Sequence, residues 1–166
     1  ARSKLINEII VATSVHPSDN PIADYCRKNN VCCFRGPLHN VAGRFIKVIA
    51  KYKVKAFARV CADSPLMDYR SIDRAVGIFL KNKYNLVTNV LRRTYPAGQS
   101  VEVPDSRIFK QAFSSMKEAE DLEHVTKFFY KNHKDYKIFN FTGGKINYSK
   151  VNLSLDTKGD LKVIRS

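Results

Sequence analysis

No stretch of this 166-residue chain approaches the ~18 consecutive apolar residues that a membrane-spanning helix requires. The opening Ala1-Arg2-Ser3-Lys4 leads into no signal-type apolar stretch, so a soluble, cytoplasmic protein without a membrane partner is expected. The four cysteines, Cys26, Cys32, Cys33 and Cys61, form no C-x-x-C pair, and the neighbours Cys32 and Cys33 point to opposite faces of a strand. The four histidines, His16, His39, His124 and His133, lack zinc-ligand spacing. Buried, reduced thiols are expected in place of a disulfide or metal framework. Acidic residues are scarce: 15 Asp and Glu stand against 29 Lys and Arg, a net charge of +14. That balance implies an anionic partner or neighbour, whether polynucleotide, nucleotide phosphates or an acidic protein surface. Yet there is no arginine-rich tract and no ribonucleoprotein aromatic motif. The basic residues are scattered, with Lys47, Lys51, Lys53 and Lys55 about one helix end and Arg92-Arg93 in a loop. A dispersed, solvated basic surface follows, and polynucleotide is not the expected partner.

What is present is enough apolar material for a core. Hydrophobic residues make up 44% and aromatics 11%, and the length allows one domain, residues 1–166. Apolar periodicity alternates between short strands and helices. Residues 8–14 read as a strand, Asn20 as an N-cap with Pro21 at the first helical position, residues 22–30 as a helix and 31–34 as a second strand. Val41, Phe45, Val48, Ile49 and Tyr52 fall at helical spacing; residues 55–61 read as a third strand, Ile72, Val76, Phe79 and Leu80 as a helical face, and 86–88 as a strand. This order predicts an α/β fold with a mostly parallel sheet and helices on both faces. Further on, residues 92–100 form a loop, 101–103 a short strand and 106–116 a helix. Residues 123–130 read as one helix, 136–141 and 151–155 as strands, and 158–164 as a last helix.

Two carboxylates stand out against this background. Ala62-Asp63-Ser64-Pro65-Leu66-Met67 places Asp63 where an apolar run stops and turns toward a helix, at the carboxyl edge of a sheet, where open α/β folds bind ligands. The residues leave open whether Asp63 serves a ligand or only caps the turn. Asp156 ends the last predicted strand, followed by a capping-type Thr157 and by Asp160 in the first helical turn. Two such aspartates can share a Mg2+ ion, which needs few protein ligands when substrate phosphates supply the rest.

The segments 11–14, 34–36, 62–68 with Arg59, Thr88-Asn89, Thr94-Tyr95-Pro96-Ala97-Gly98, Glu102-Val103, Glu123-His124-Val125-Thr126 and Leu155-Asp156-Thr157 follow one another in a recognisable order. It resembles that of cytidylyltransferases of the spore coat polysaccharide biosynthesis protein F type, relatives of the acylneuraminate and 3-deoxy-manno-octulosonate cytidylyltransferases. The resemblance implies a Rossmann-like nucleotidyltransferase fold, with residues 1–90 as a nucleotide-side half and 91–166 as a sugar-side half. It further implies transfer of CMP from CTP to a sugar or sugar acid in surface polysaccharide synthesis. By resemblance Asp63 and Asp156 hold magnesium, and Ala12, Thr13, Arg35 and Asn40 meet the nucleotide. Arg59, Asn89, Arg93, Tyr95, Pro96, Glu102 and His124 line the sugar side. Structural alternatives stand beside three of these: Arg35 pairing on the surface, Tyr95 packing a loop and His124 as a satisfied helix histidine. A homodimer contact through Phe128-Phe129-Tyr130 is open.

Three departures accompany the resemblance. Ala62 replaces the glycine usual before the aspartate, and Asn40 and Gly43 stand where acidic residues are usual. The family's opening strand, its Gly/Ser/Arg-rich triphosphate loop and the start of the following helix are missing, with residues 1–6 reading as that helix's end. The chain as given is therefore expected to be a truncated, inactive fragment. The alternatives are a non-catalytic sugar-nucleotide-binding or assembly module and a basic nucleic-acid-binding protein.

Overall fold

The structure is a computed structural model that describes residues 2–165. In chain order its elements are β1 (Ile10–Ser14), α1 (Asn20–Lys28), β2 (Cys32–Gly36), α2 (Val41–Tyr52), α3 (Tyr69–Lys81), β3 (Leu86–Thr88), β4 (Glu102–Pro104), α4 (Ser106–Phe113), α5 (Ala119–Glu123), α6 (Lys127–Lys131), β5 (Ile138–Asn140) and α7 (Lys158–Arg165). They divide into two compact units whose segments interleave. One holds Ile6–Ala56 and Asp105–His133, the other Arg2–Leu5, Phe57–Pro104 and residues 134–165. The packing division does not coincide with a boundary at residue 90, because β3 hydrogen-bonds across it to both β4 and β5.

In the first unit β1 and β2 pair in parallel, from Ile10 with Cys32 to Ser14 with Gly36, joined by a crossover through α1. The cap position of α1 is Asp19, one residue before the expected Asn20, and Asp19 makes no side-chain cap bond. Asn30, at φ 54°, takes the left-handed conformation that asparagine tolerates and turns the chain into β2. Behind the strands, Ala42 and Ile49 of α2 pack in a core with Phe109, Val125 and Phe129. The expected single helix over 123–130 breaks into α5 and α6 at His124, Val125 and Thr126. Consecutive β-branched residues are poor helix formers, and here both are buried. Phe129 stacks on Phe109 with ring centroids 6.3 Å apart and is fully buried, so the central ring of the Phe128-Phe129-Tyr130 cluster belongs to the core.

In the second unit β3 is central. It runs parallel to β5, from Leu86 with Ile138 to Thr88 with Asn140, and antiparallel to β4, from Leu86 with Pro104 to Thr88 with Glu102. Leu86, Val87 and Val103 are buried, as are Ala75 and Val76 on α3, as a continuous apolar strand in a covered sheet requires.

The expected third strand over 55–61 is not formed among the described residues; two isolated antiparallel bridges, Ala56 with Asp105 and Arg59 with Glu102, take its place. Pro104 explains the interruption. Arg59 and Glu102 exchange both backbone hydrogen bonds, so the next hydrogen-bonded pair in this register would be Phe57 with Pro104, which has no N–H to give. Residues 151–155 likewise contribute only a single parallel bridge, Asn152 to Ala97. Residues 2–6 are not helical. Instead Asp73 of α3 accepts from the Ser3 hydroxyl (2.5 Å) and from the Lys4 and Leu5 amides (3.1 Å each). Ala1 lies outside the described residues.

All four cysteines are free thiols, with Cys26 buried. Among the described residues no helix is long and apolar enough to cross a membrane.

Candidate active site

The Asp63 turn is built by its own backbone. Cys61 C=O accepts from the Ser64 amide (3.3 Å), and Ser64 C=O accepts from the Met67 amide (3.2 Å). The helix that follows is capped by Asp68, whose Oδ1 accepts from the Arg70 amide at 3.0 Å. Capping therefore does not consume Asp63: its side chain is exposed, with Oδ1 accepting from the neighbouring Ser64 hydroxyl at 2.9 Å.

Asp156 reaches the same place from the far end of the sequence. The Leu155 amide donates to Asp63 C=O at 2.7 Å, which joins the backbones that carry the two aspartates. Asp156 is then fixed from its other side by a capping box. Asp160 Oδ2 accepts from the Asp156 and Thr157 amides (3.0 and 2.7 Å), and Thr157 Oγ1 accepts from the Asp160 amide (3.2 Å). The Thr157 hydroxyl, donating to Asp160 Oδ2 at 2.9 Å, and then the two amides hold the Asp160 carboxyl below its ordinary range. Asp156 itself remains exposed. Gly98 makes the approach of this segment feasible. It sits at φ +82°, and a Cβ there would lie 2.6 Å from Leu153 C and 2.8 Å from Ser154 N.

Among the described residues neither Asp63 nor Asp156 forms an ion pair, and no cluster of three or more His, Cys, Asp or Glu could hold a metal. The donor set is thus two exposed carboxylates on hydrogen-bonded backbones. These are hard oxygen ligands of the number a Mg2+ ion uses when phosphates and waters complete its shell.

The other sugar-side candidates of this unit divide by burial. Arg59 Nη1 donates to Glu102 Oε2 at 2.5 Å, and the Glu102 side chain is 3% exposed. Asn89 is buried; its Nδ2 donates to Gln99 C=O (2.7 Å) and its Oδ1 accepts from the Val101 amide (2.9 Å), so it frames the loop and does not face outward. Arg93 braces that loop from Nη1 to Pro96 C=O (3.4 Å) and from Nη2 to the Ser100 hydroxyl (3.1 Å). Tyr95 packs edge-on against Phe141.

The first unit brings Ala12, Thr13, Arg35 and Asn40 to the carboxyl edge of its parallel pair. There the Thr13 hydroxyl donates to Asp19 Oδ2 (2.7 Å) and Ala12 C=O accepts from Arg44 Nη1 (2.9 Å). Arg35 donates from Nε to Ser14 C=O (2.8 Å) and from Nη2 to His16 C=O (3.0 Å), which is a structural pairing with carbonyls and not a surface ion pair. Asn40 Oδ1 caps α2 by accepting from the Gly43 amide (2.6 Å). His124 belongs to this unit and not with the other sugar-side candidates. It is exposed at the break after α5, and its backbone bonds are local, to Glu120 and Lys127.

A family profile described as Cytidylyltransferase matches residues 1–156. The chain belongs to the cytidylyltransferase family. Its relatives include an uncharacterised protein of Methanocaldococcus jannaschii, 31% identical over 163 residues, which covers 98% of this chain and 66% of that protein. The spore coat polysaccharide biosynthesis protein SpsF of Bacillus subtilis is 26% identical over 165 residues, covering 96% of this chain and 66% of its own length. The solved structure of a cytidylyltransferase from Leptospira borgpetersenii serovar Hardjo-bovis is 25% identical, with a TM-score of 0.94, and the match covers 99% of this chain and 69% of that one. The chain thus spans about two thirds of the length of the curated relatives it matches.

Two residues of this cytidylyltransferase chain escaped sequence reasoning. Arg74, on the exposed side of α3, donates from Nη1 to the Tyr95 hydroxyl (3.1 Å) and to Thr142 C=O (2.8 Å), and lies over the Phe141 ring. In the sequence it is one charge on a solvated helical face. Gln99 is a neutral residue in a loop, and neither periodicity nor charge marks it.

Proposed function

We propose that this chain carries the metal-binding part of a cytoplasmic enzyme that moves CMP from CTP onto a sugar or sugar acid for a surface polysaccharide, with release of pyrophosphate. The reaction class rests on family membership, and the acceptor class on the likeness to the spore coat polysaccharide protein. One observation carries the site: the hydrogen bond from Leu155 N–H to Asp63 C=O, which sets two exposed aspartates on adjoining backbones. In this reading Asp63 and Asp156 hold Mg2+. When bound, the ion offsets the negative charge that builds up on the transferring phosphate.

The remaining roles belong to the chain's own side chains. On the nucleotide side, the edge formed by Ala12, Thr13, Arg35 and Asn40 receives the nucleotide through backbone groups and the guanidinium face of Arg35. On the sugar side, the Arg59–Glu102 pair and Tyr95 with Pro96 line the acceptor, while Asn89 and Arg93 fix the loop behind them. The phosphate-holding loop lies, in this reading, in the part of the relatives that the chain does not cover. CTP binding by the 166-residue chain alone is accordingly expected to be weak.

The test is pyrophosphate release by the full-length protein from CTP, Mg2+ and a panel of sugars and sugar acids. Asp63→Asn and Asp156→Asn are each expected to lower turnover at least ~100-fold, the scale on which removing one stabiliser of transition-state charge is felt. Full activity in either variant overturns the metal assignment, and preference for another nucleoside triphosphate overturns the cytidine reading.

A further inference from the structure

We infer that the loop of residues 96–101 sets the spacing of the two carboxylates, with Gln99 as its positioning residue; this rests on the reading of Asp63 and Asp156 as the metal carboxylates. The loop holds both partners at once. Toward Asp156, the Ala97 amide donates to Val151 C=O (3.0 Å), Ala97 C=O accepts from the Leu153 amide (2.9 Å), and Gly98 lets the backbones touch at Leu153 and Ser154. Toward Asp63, Gln99 uses both ends of its carboxamide. Nε2 donates to Leu66 C=O at 2.6 Å and Oε1 accepts from the Asp68 amide at 3.0 Å.

The turn that carries Asp63 is therefore gripped at both ends, by Leu155 at residue 63 and by Gln99 at residues 66 and 68. Gln99 is itself anchored, since its C=O accepts from Asn89 Nδ2 and its amide donates to Pro96 C=O at 3.2 Å. A buried amide network of this kind has few alternative arrangements. The choice of a neutral amide matters. It satisfies one donor and one acceptor of the turn without placing a further charge beside Asp63, Asp68 and Asp156, whereas a glutamate could accept but not donate. Residues that orient ligands from behind change metal affinity by about 10- to 100-fold when lost.

Mn2+ serves as the probe, titrated into the chain and followed by its electron paramagnetic resonance signal, with thermal unfolding recorded on the same samples. Gln99→Met keeps the side-chain length and removes both hydrogen bonds, and Gln99→Asn keeps the amide but is one methylene too short to span them. Both are expected to bind Mn2+ at least ~10-fold more weakly than the parent while unfolding cooperatively, with Asp63→Asn weaker still. Parent-like Mn2+ affinity in folded Gln99→Met or Gln99→Asn, with binding lost in Asp63→Asn, overturns the positioning role and leaves the metal assignment standing. Unaltered affinity in Asp63→Asn overturns both.

Discussion

The two units differ in the charges they leave exposed. At the carboxyl edge of β1 and β2, charged side chains are spent on the fold. Arg44 is buried and gives its guanidinium to Pro37, Ala12 and Leu38 carbonyls at 3.2, 2.9 and 3.2 Å, and Arg35 gives its own to two more. Asp19 accepts from Thr13 and Ser14. In the second unit the loop of residues 96–101 is held chiefly by neutral groups, the carboxamides of Asn89 and Gln99 and the bare backbone of Gly98, with Arg93 as a brace, and Asp63 and Asp156 are left at the surface. A charge is available for chemistry where uncharged groups already hold the backbone. Where charge itself does the holding, the guanidinium is already engaged with backbone carbonyls.

The contrast is broken or sharpened most strongly at Arg59 and Arg44. Arg59→Met removes the guanidinium paired with the buried Glu102 carboxylate and is expected to cost about 3–5 kcal/mol. Arg44→Met strands only neutral carbonyls and is expected to cost about 1–3 kcal/mol. Urea midpoints measured on the two variants decide the matter: equal losses would mean that the carbonyl cage of Arg44 matters as much as an ion pair.

Glycines give the next largest effect. Gly98→Ala must adopt a positive φ and meet Leu153 backbone that cannot yield, for an expected loss of about 2–4 kcal/mol. Gly43→Ala meets only the Asn40 side chain, with Oδ1 2.6 Å away, which can swing aside at the expense of the α2 cap, about 1 kcal/mol. A larger loss at Gly43 would reverse the assignment of the rigid loop to the second unit.

The smallest effect is in pH. Hydrogen bonds from Ser14 first, then Thr13 and Ser18, hold the Asp19 carboxyl well below its ordinary range. A depressed carboxyl contributes stability that is present above its unfolded value, near pH 4, and lost as pH falls through the folded value. Asp19→Asn is therefore expected to flatten the acid limb of the stability curve below about pH 4, seen as a smaller drop in unfolding midpoint between pH 7 and pH 3 than in the parent. An unchanged acid limb would remove Asp19 from the charge economy of the first unit.

Much of this was legible in the residues, for physical reasons. The parallel pair, α2, α3, β3 and α7 announce themselves because burial on one face imposes a period on the sequence. Asp156 with Thr157 and Asp160 could be read because a capping box is local. The third strand was misread because its apolar composition is right while the obstacle, Pro104, sits on the partner strand about fifty residues away in the chain. The backbone bonds of Asn89 and Asn40 are not legible in the sequence, because a carboxamide's type does not say whether its partner will be substrate or main chain. Gln99 was invisible for the converse reason, since both groups it bonds are main-chain atoms of a segment more than thirty residues earlier.

Pro104 has a consequence beyond the strand it prevents. β4 ends the order β4-β3-β5, and among the described residues its outer side is covered only by the two bridges from Ala56 and Arg59. Zippering along that side from Glu102 meets, two residues on, a ring nitrogen with nothing to donate, and Glu102 itself is already committed to Arg59. A strand that displaced residues 55–59 would meet the same missing donor, so the residue that interrupts the protein's own third strand also makes that edge a poor template for a second molecule.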